Sequence, residues 1–321
     1  MDAIRDADID PAPLRGKRVA IIGYGNQGRA QALNLKASGI DVVVGLRDGS
    51  NSIAGAHDDG NATASLPEAA ASADIVMLLA PDEVLAAIYR EVEPHLRQGA
   101  ALGFSHGLAI RFGLIIPRPD LDVFMVAPKG PGTALRSLYV EGKGMVALLA
   151  VAQDVSGQTE AVALAYGQAL GCGRAGILRS SFAEECEADL FNEQAVVWGA
   201  VPEILIAGFD TLVAAGVSEE VAYMECVGEL KLIAELIEAR GIAGMREAIS
   251  NTAELGAVLG GSRIIDDGVR ARMKAVLEEI RAGRFSEMLR VEEASAYPRL
   301  RAAREQARNL RVEQARRKLL D

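Results

Sequence analysis

The sequence predicts an α/β protein in two parts, a doubly wound parallel sheet over residues 1–181 and an all-α domain over residues 182–321. Three observations predict it. Short β-rich runs alternate with helical periods from residue 17 to about residue 181, and a glycine-rich turn joins the first run to the first helix. Past Ser180 the β-branched alternation gives way to long Ala-, Leu-, Glu- and Ile-rich stretches at helical spacing. At 321 residues and 50% hydrophobic, the chain can bury two domain-sized cores.

The strands read in order as "RVAIIG", "DVVVGL", "ADIVMLLAP", "GAALGFSHG", "LDVFMVAP", "GMVALLAVA" and "RAGILRS". Near-continuous apolar runs of this kind suit strands covered on both faces. Between them "QGRAQALNLKASG", "DEVLAAIYREVEPHLRQG" and "GQTEAVALAYGQALG" read as helices closed by glycine. The helical second part is punctuated by "AGVS", "ARGIAG" and "LGGS". Its last stretch, from Pro298 to Asp321, is rich in Arg and Lys and reads as a solvated, fraying helix rather than a nucleic-acid arm.

A formal charge of −10 argues against nucleic acid or anionic membrane as the main partner and leaves small metabolites and cations open. The longest apolar stretches read as strand-sized and the start "MDAIRDADIDPAP" is acidic, so a soluble, cytoplasmic protein is expected. Cys172, Cys186 and Cys226 have no C-x-x-C spacing and read as small core residues.

The glycine turn is Gly23-x-Gly25-x-x-Gly28, directly after a strand and opening a helix. There the backbone can approach a pyrophosphate resting on the helix N-terminus, which points to a Rossmann-like dinucleotide site. The end of the second strand, "VVVGLRDGSNS", presents Arg47, Ser50 and Ser52, a guanidinium and two hydroxyls suited to a 2′-phosphate and so to NADPH. Asp48 leaves NADH open, because a carboxylate turned inward would bind a ribose hydroxyl instead. His106 and Lys129 each follow a strand, at the carboxyl edge where such sheets place chemistry, and "KGPG" permits close backbone approach.

In "EADLFNEQAVVWG", Asp189 and Glu193 lie four apart among apolar residues, and in "AYMECVGELKLIAEL" Glu225 and Glu229 do the same. Two such pairs resemble the inward-facing acids of bundle metal sites, and hard oxygen donors point to Mg²⁺ or Mn²⁺ rather than zinc. Solvated helix edges are the other reading of these acids. A metal-chelating, oxygenated small substrate reduced by hydride would join the two halves.

Taken together, "GYGNQGRAQALNL", "VVVGLRDGSNS", "SHG", "DVFMVAPKGPG", "EADLFNEQAV", "ECVGELKLI" and "GMREAISNTAE" resemble, in order, the motifs of the short (class I) ketol-acid reductoisomerases over about residues 14–298. The resemblance implies Mg²⁺-dependent alkyl migration in 2-acetolactate or 2-aceto-2-hydroxybutyrate, 2-hydroxy-3-keto acids, followed by NADPH reduction to a 2,3-dihydroxy acid in valine and isoleucine biosynthesis. It implies that Asp189 bridges two Mg²⁺ ions, Glu193 completes the first site, and Glu225 and Glu229 belong to the second. His106 and Lys129 match the active-site histidine and lysine, and Ser250 a serine that contacts substrate. Lys129, Glu229 and water on the metal are candidates for moving the proton, with His106 orienting water or substrate. For the cofactor it implies Tyr24, Gly25, Asn26 and Gln27 in the fingerprint, Arg47, Ser50 and Ser52 at the 2′-phosphate, Asp82, Glu83, Val84 and Leu85 at a helix start, and Gly132. It further implies intertwined helical domains, in which one subunit's first acidic pair meets the second pair of another, so that a homodimer is the minimal active unit and larger assemblies of dimers are allowed.

The chain departs from the family pattern at Arg29 and Gln31, where histidines are common, at Trp198, Ala200 and Gly228, and at Glu247 and Leu255. Trp198 reads as filling core volume. Two alternatives stay open: a paralogue using the same metals on another keto acid, and a nucleotide-binding protein without catalysis.

Overall fold

The computed structural model describes residues 2–320 and divides into two compact units, Met1–Cys186 and Glu187–Asp321. In the first unit the described residues form one eight-stranded sheet. Its strands are β1 (Arg18–Ile22), β2 (Asp41–Gly45), β3 (Ala62–Ala64), β4 (Ile75–Leu78), β5 (Ala101–Phe104), β6 (Asp122–Pro128), β7 (Ala147–Gln153) and β8 (Ile177–Arg179), in the spatial order 3-2-1-4-5-6-7-8. Strands β1 to β6 run parallel in doubly wound order, with the topological switch between β1 and β4.

Alternation along each strand sends side chains into two cores. Val19 and Ile21 of β1 and Met77 of β4 join Leu35 and Tyr166 on one face. Ala20, Ile22, Val76 and Leu78 join Leu66, Leu85 and Ile88 on the other. The covering helices are α1 (Asn26–Ala37), α2 (Ser52–Asp58), α3 (Leu66–Ser72), α4 (Asp82–Val92), α5 (Leu108–Arg111), α6 (Gly132–Val140) and α7 (Thr159–Ala169).

The fold class is as expected from sequence, with two differences in detail. Strand β3, "ATA", is too short and small-residued to stand out from a loop. Strand β7 is antiparallel to β6, and β8 is parallel to β7. The chain leaves β6 at Pro128, turns through α6 and re-enters at Ala147, which pairs with Pro128; the excursion therefore returns to the end of the sheet it left.

Helix α8 (Phe182–Ala195) begins in the first unit and continues into the second. The second unit then contains α9 (Ala200–Ala214), α10 (Glu219–Tyr223), a π turn (Met224–Gly228), α11 (Leu230–Ala248), α12 (Asn251–Ile264), α13 (Asp267–Arg281), α14 (Arg284–Ala294), α15 (Pro298–Arg308) and α16 (Arg311–Leu320). Gly241 interrupts α11 with φ 69°. The all-helical character is as expected, but the acidic segment around Glu225 is not a plain α-helix: its i→i+5 turn is a feature often found at functional sites.

The C-terminal tail does not fray along its whole length. Val312 and Ala315 of α16 are buried against Phe209, Ala222 and Tyr223, and Glu219 at the start of α10 accepts from Arg311 (2.9 Å) and Lys318 (3.2 Å). Charge alone concealed this docking, because two small apolar residues at helical spacing suffice to seat α16. Trp198, expected in the core, is 66% exposed in the turn between α8 and α9. The apolar run is also longer than strand-sized. Phe182–Ala214 contains a window of mean hydropathy 1.6, long and apolar enough by length and composition to cross a membrane, with only 6% of that window buried.

Candidate active site

The first strand ends at the glycine turn. Gly28, one turn into α1, lies so close to Gly23 that an added Cβ would stand 2.3 Å from the Gly23 carbonyl oxygen, and this contact holds the helix start on the strand end. Gly25 caps α1 without a side-chain hydrogen bond, so the first-turn amides face outward, as an anionic pyrophosphate requires. A cleft of about 250 Å³ opens there, lined among others by Gly23, Gly25, Arg47, Ser50, Ser52 and Val84. These features fit a dinucleotide.

The expected cofactor residues divide. Arg47 is exposed, and the hydroxyl of Ser50 accepts from the Ser52 amide at 3.3 Å. Asp82, Glu83 and Val84 form the half-buried first turn of α4, but the Leu85 side chain is 3% exposed and belongs to the core. Gly132 is where α6 meets α1: a Cβ there would lie 2.0 Å from the Asn26 carbonyl oxygen, so backbone packing accounts for it. Tyr24 turns its ring inward, donating to Asp59 (2.8 Å) and accepting from Asn61 (2.8 Å). Arg29 pairs with Asp59 through both carboxylate oxygens (2.6 and 2.9 Å), which braces the glycine turn against the end of α2. Burial and the neighbouring carboxylate hold the Tyr24 phenol well above its ordinary pKa, and the Arg29 guanidinium holds Asp59 below the usual carboxylate range.

His106 and Lys129, at the carboxyl ends of β5 and β6, are brought together by a residue the sequence reading passed over. The Glu185 side chain, 1% exposed, lies 3.1 Å from His106 Nδ1 through Oε2 and accepts from the Gly107 amide at 2.8 Å on the same oxygen. Its Oε1 accepts from Lys129 Nζ at 3.2 Å. Burial works to raise this carboxyl's pKa, but the His106, Lys129 and Gly107 contacts outweigh it and the pKa is lowered, so the group stays ionised. With Nδ1–H donated to the carboxylate, the His106 ring is oriented with Nε2 on the side away from Glu185. The signal in the sequence was Glu185-x3-Asp189-x3-Glu193, a third acid in phase on α8.

Asp189 is half-buried and Glu193 exposed; in the second unit Glu225 and Glu229 are exposed as well. Among the described residues of that unit, no three ligating side chains converge within one chain. The donor set nonetheless fits a hard divalent cation, since it consists of carboxylates. Cys226, between Glu225 and Glu229, packs toward the Phe209 cluster, and burial followed by the Glu225 charge raises its thiol pKa away from the thiolate a soft metal would bind. Ser250 is exposed and caps α12, its hydroxyl accepting from the Ala253 amide at 3.2 Å. Glu247 and Leu255 are exposed too.

Residues 13–176 match the family model described as the NADPH-binding domain of acetohydroxy acid isomeroreductase, and residues 182–321 that of the C-terminal domain of ketol-acid reductoisomerase. The chain is similar to a solved NADH-preferring ketol-acid reductoisomerase from an uncultured archean, with 43% identity, TM-score 0.96, and coverage of 100% of this chain and 99% of that one. A semialdehyde dehydrogenase NAD-binding protein from Cupriavidus necator is 21% identical over 83% of this chain and 99% of that one at TM-score 0.60. Pyrroline carboxylate reductase from Plasmodium falciparum is 14% identical over 84% and 98% at TM-score 0.54; these two likenesses show the fold alone. With both halves matched, the chain belongs to the ketol-acid reductoisomerase family, enzymes of branched-chain amino-acid biosynthesis that join oxidoreductase and isomerase chemistry.

Proposed function

We propose that the protein converts 2-acetolactate or 2-aceto-2-hydroxybutyrate to 2,3-dihydroxy acids by Mg²⁺-dependent alkyl migration and NADPH reduction, in the manner of the short class I enzymes. The observation that carries this reading is the grip of one buried carboxylate, Glu185, on both His106 and Lys129 beside the dinucleotide turn.

Asp189 and Glu193 of one chain, with Glu225 and Glu229 of a second copy, would hold the divalent ions, Mg²⁺ or Mn²⁺. When bound, such ions polarise the substrate's ketone and hydroxyl oxygens. NADPH supplies hydride. The chain's own groups do the rest. Glu185 aims Lys129, so its ammonium can steady developing negative charge on a substrate oxygen. His106 would orient water or a substrate hydroxyl. Glu229 is a further candidate for the proton, and Ser250 a hydroxyl for substrate once its helix cap is shared.

A homodimer is supported by the second unit's surface. Val197, Trp198, Leu232, Leu255 and Leu259 are each between 47% and 66% exposed, which leaves apolar faces for a second copy to cover. Lipid suits α8 less well, because Asp189 and Glu193 lie on it and ionised acids are expensive in a bilayer. Soluble, cytoplasmic placement accords with this.

The assay that tests the reading follows NADPH oxidation with acetolactate and with 3-hydroxy-3-methyl-2-oxobutanoate, each with and without Mg²⁺. Activity with both, dependent on Mg²⁺, is expected. Activity on neither would leave the paralogue or the non-catalytic nucleotide binder, and activity on the second alone would mean that migration is lost.

For the cofactor, Arg47, Ser50 and Ser52 support NADPH. Asp48 and the NADH preference of the 43%-identical archaeal reductoisomerase favour the second reading, NADH. If NADPH is right, Arg47→Ala raises the KM for NADPH on the order of 10-fold and leaves the KM for NADH nearly unchanged, the loss of one charge-assisted contact. Equal KM changes for the two cofactors would remove Arg47 from that role.

A further inference from the structure

Gln31 is completely buried, yet its side-chain amide uses every hydrogen-bonding group it has. Its Oε1 accepts from the Tyr166 hydroxyl at 2.6 Å. Its Nε2 donates to Ser105 Oγ at 2.8 Å and to Gln27 Oε1 at 3.2 Å. Each acceptor then passes the chain on: Ser105 Oγ donates to the Val126 carbonyl at 2.9 Å, and Gln27 Nε2 donates to the Gly130 carbonyl at 2.9 Å.

The direction of this network is fixed by the backbone carbonyls at its two ends. The Gln27 amide nitrogen is committed to the Gly130 carbonyl and the Ser105 hydroxyl hydrogen to the Val126 carbonyl, so Gln31 must turn its nitrogen toward both of these side chains and its oxygen toward Tyr166, whose hydroxyl donates to it. A flipped amide would set its oxygen against Gln27 Oε1 and draw the Ser105 hydroxyl away from the Val126 carbonyl.

The two branches end on the loops that hold the reacting groups. Ser105 precedes His106, and Gly130 follows Lys129; both of those side chains meet Glu185. Gln27 and Gln31 themselves lie on α1, whose first turn forms the dinucleotide end. One buried amide therefore ties the cofactor helix to both strand-end loops at once.

We propose that Gln31 is a positioning residue that sets the spacing between the cofactor-binding start of α1 and the His106–Glu185–Lys129 cluster, with Tyr166 holding its amide in the working orientation. The inference rests on the proposed reductoisomerase reaction. Hydride transfer demands alignment of the nicotinamide with the substrate held at that cluster, and displacements of about 1 Å cost turnover rather than binding. Removing the amide while keeping the volume thus lowers kcat and spares affinity.

The test compares wild type, Gln31→Met, Gln31→His and Tyr166→Phe in steady-state reduction of 3-hydroxy-3-methyl-2-oxobutanoate, alongside NADPH binding by fluorescence. Gln31→Met is expected to lose roughly 10- to 100-fold in kcat, with substrate KM and NADPH Kd changed by less than about threefold. Gln31→His, which can accept from Tyr166 and donate to Ser105, is expected to recover most of the loss. Should Gln31→Met fail to fold, Tyr166→Phe carries the same test, with a smaller kcat loss at unchanged Kd.

An unchanged kcat in a folded Gln31→Met, or in Tyr166→Phe where that variant carries the test, overturns the inference. So does a kcat loss matched by equal loss of NADPH affinity, or a histidine variant no better than methionine. A wild type inactive on both acetolactate and the keto acid overturns the functional reading and this inference with it. An active wild type with no split in the variants overturns this inference alone.

Discussion

Glu185→Gln is expected to lower turnover of acetolactate by roughly 10²- to 10³-fold while NADPH affinity stays within a few-fold. The amide keeps the shape but removes a buried charge that the His106 ring and the Lys129 ammonium share. Glu185 Oε1 accepts from Lys129 Nζ, and Oε2 faces His106 Nδ1 and the Gly107 amide. An uncharged amide presents one acceptor and two donors, so its nitrogen must confront at least one of these donors. His106 then loses the partner that fixes its tautomer, and Lys129 the partner that aims it. Steady-state kinetics with both substrates, paired with NADPH fluorescence, would read this out. Wild-type turnover in the variant would remove Glu185 from the site.

The same substitution has a pH signature. The folded-state pKa of Glu185 is lowered, so its ionised form stabilises the fold above the unfolded carboxylate value of about 4.3. That contribution disappears as the pH falls through the lower, folded value. Thermal unfolding between about pH 3 and pH 7 should therefore show a shallower loss of stability on the acid side for Glu185→Gln than for wild type. Parallel curves would contradict the lowered pKa.

Asp189→Ala is expected to abolish alkyl migration, a loss on the order of 10³-fold or more that added Mg²⁺ does not restore. Asp189 is half-buried on α8, one helical turn beyond Glu185 and one before Glu193. Alanine is a good helix former and Asp189 is partly exposed, so the fold and NADPH binding should persist. Circular dichroism, NADPH binding and acetolactate turnover at saturating Mg²⁺ together separate loss of the site from loss of the fold. Near-normal turnover under those conditions would sink the assignment of Asp189.

Much of this was legible in the sequence because it is local. Apolar runs such as "RVAIIG" become strands buried on both faces, and Gly28 is required by a neighbour five residues away. Motif order carried the family, since it survives even where Arg29 and Gln31 replace common histidines. Glu185 was missed for a physical reason: an acid on an apolar helix looks like any solvated Glu until its partners are known. Arg29 looked like an anomaly at the cofactor turn and proves to be the counter-charge of Asp59.

What the sequence determined by itself was the order of seven of the eight strands, the dinucleotide turn, the helical second part and the phase of the acids along α8. These depend on residues within a turn or a strand of one another, where periodicity and conformational preference act directly. Only the tertiary structure decided that β7 runs against β6, that α16 docks on α10, and that Trp198 is left outside the chain's own core. It alone joined Glu185 to residues 79 and 56 positions away, and Gln31 to one 135 away. Hydrogen bonds and ion pairs form between groups that the packed sheet brings within about 3 Å, and a linear pattern holds no record of that distance.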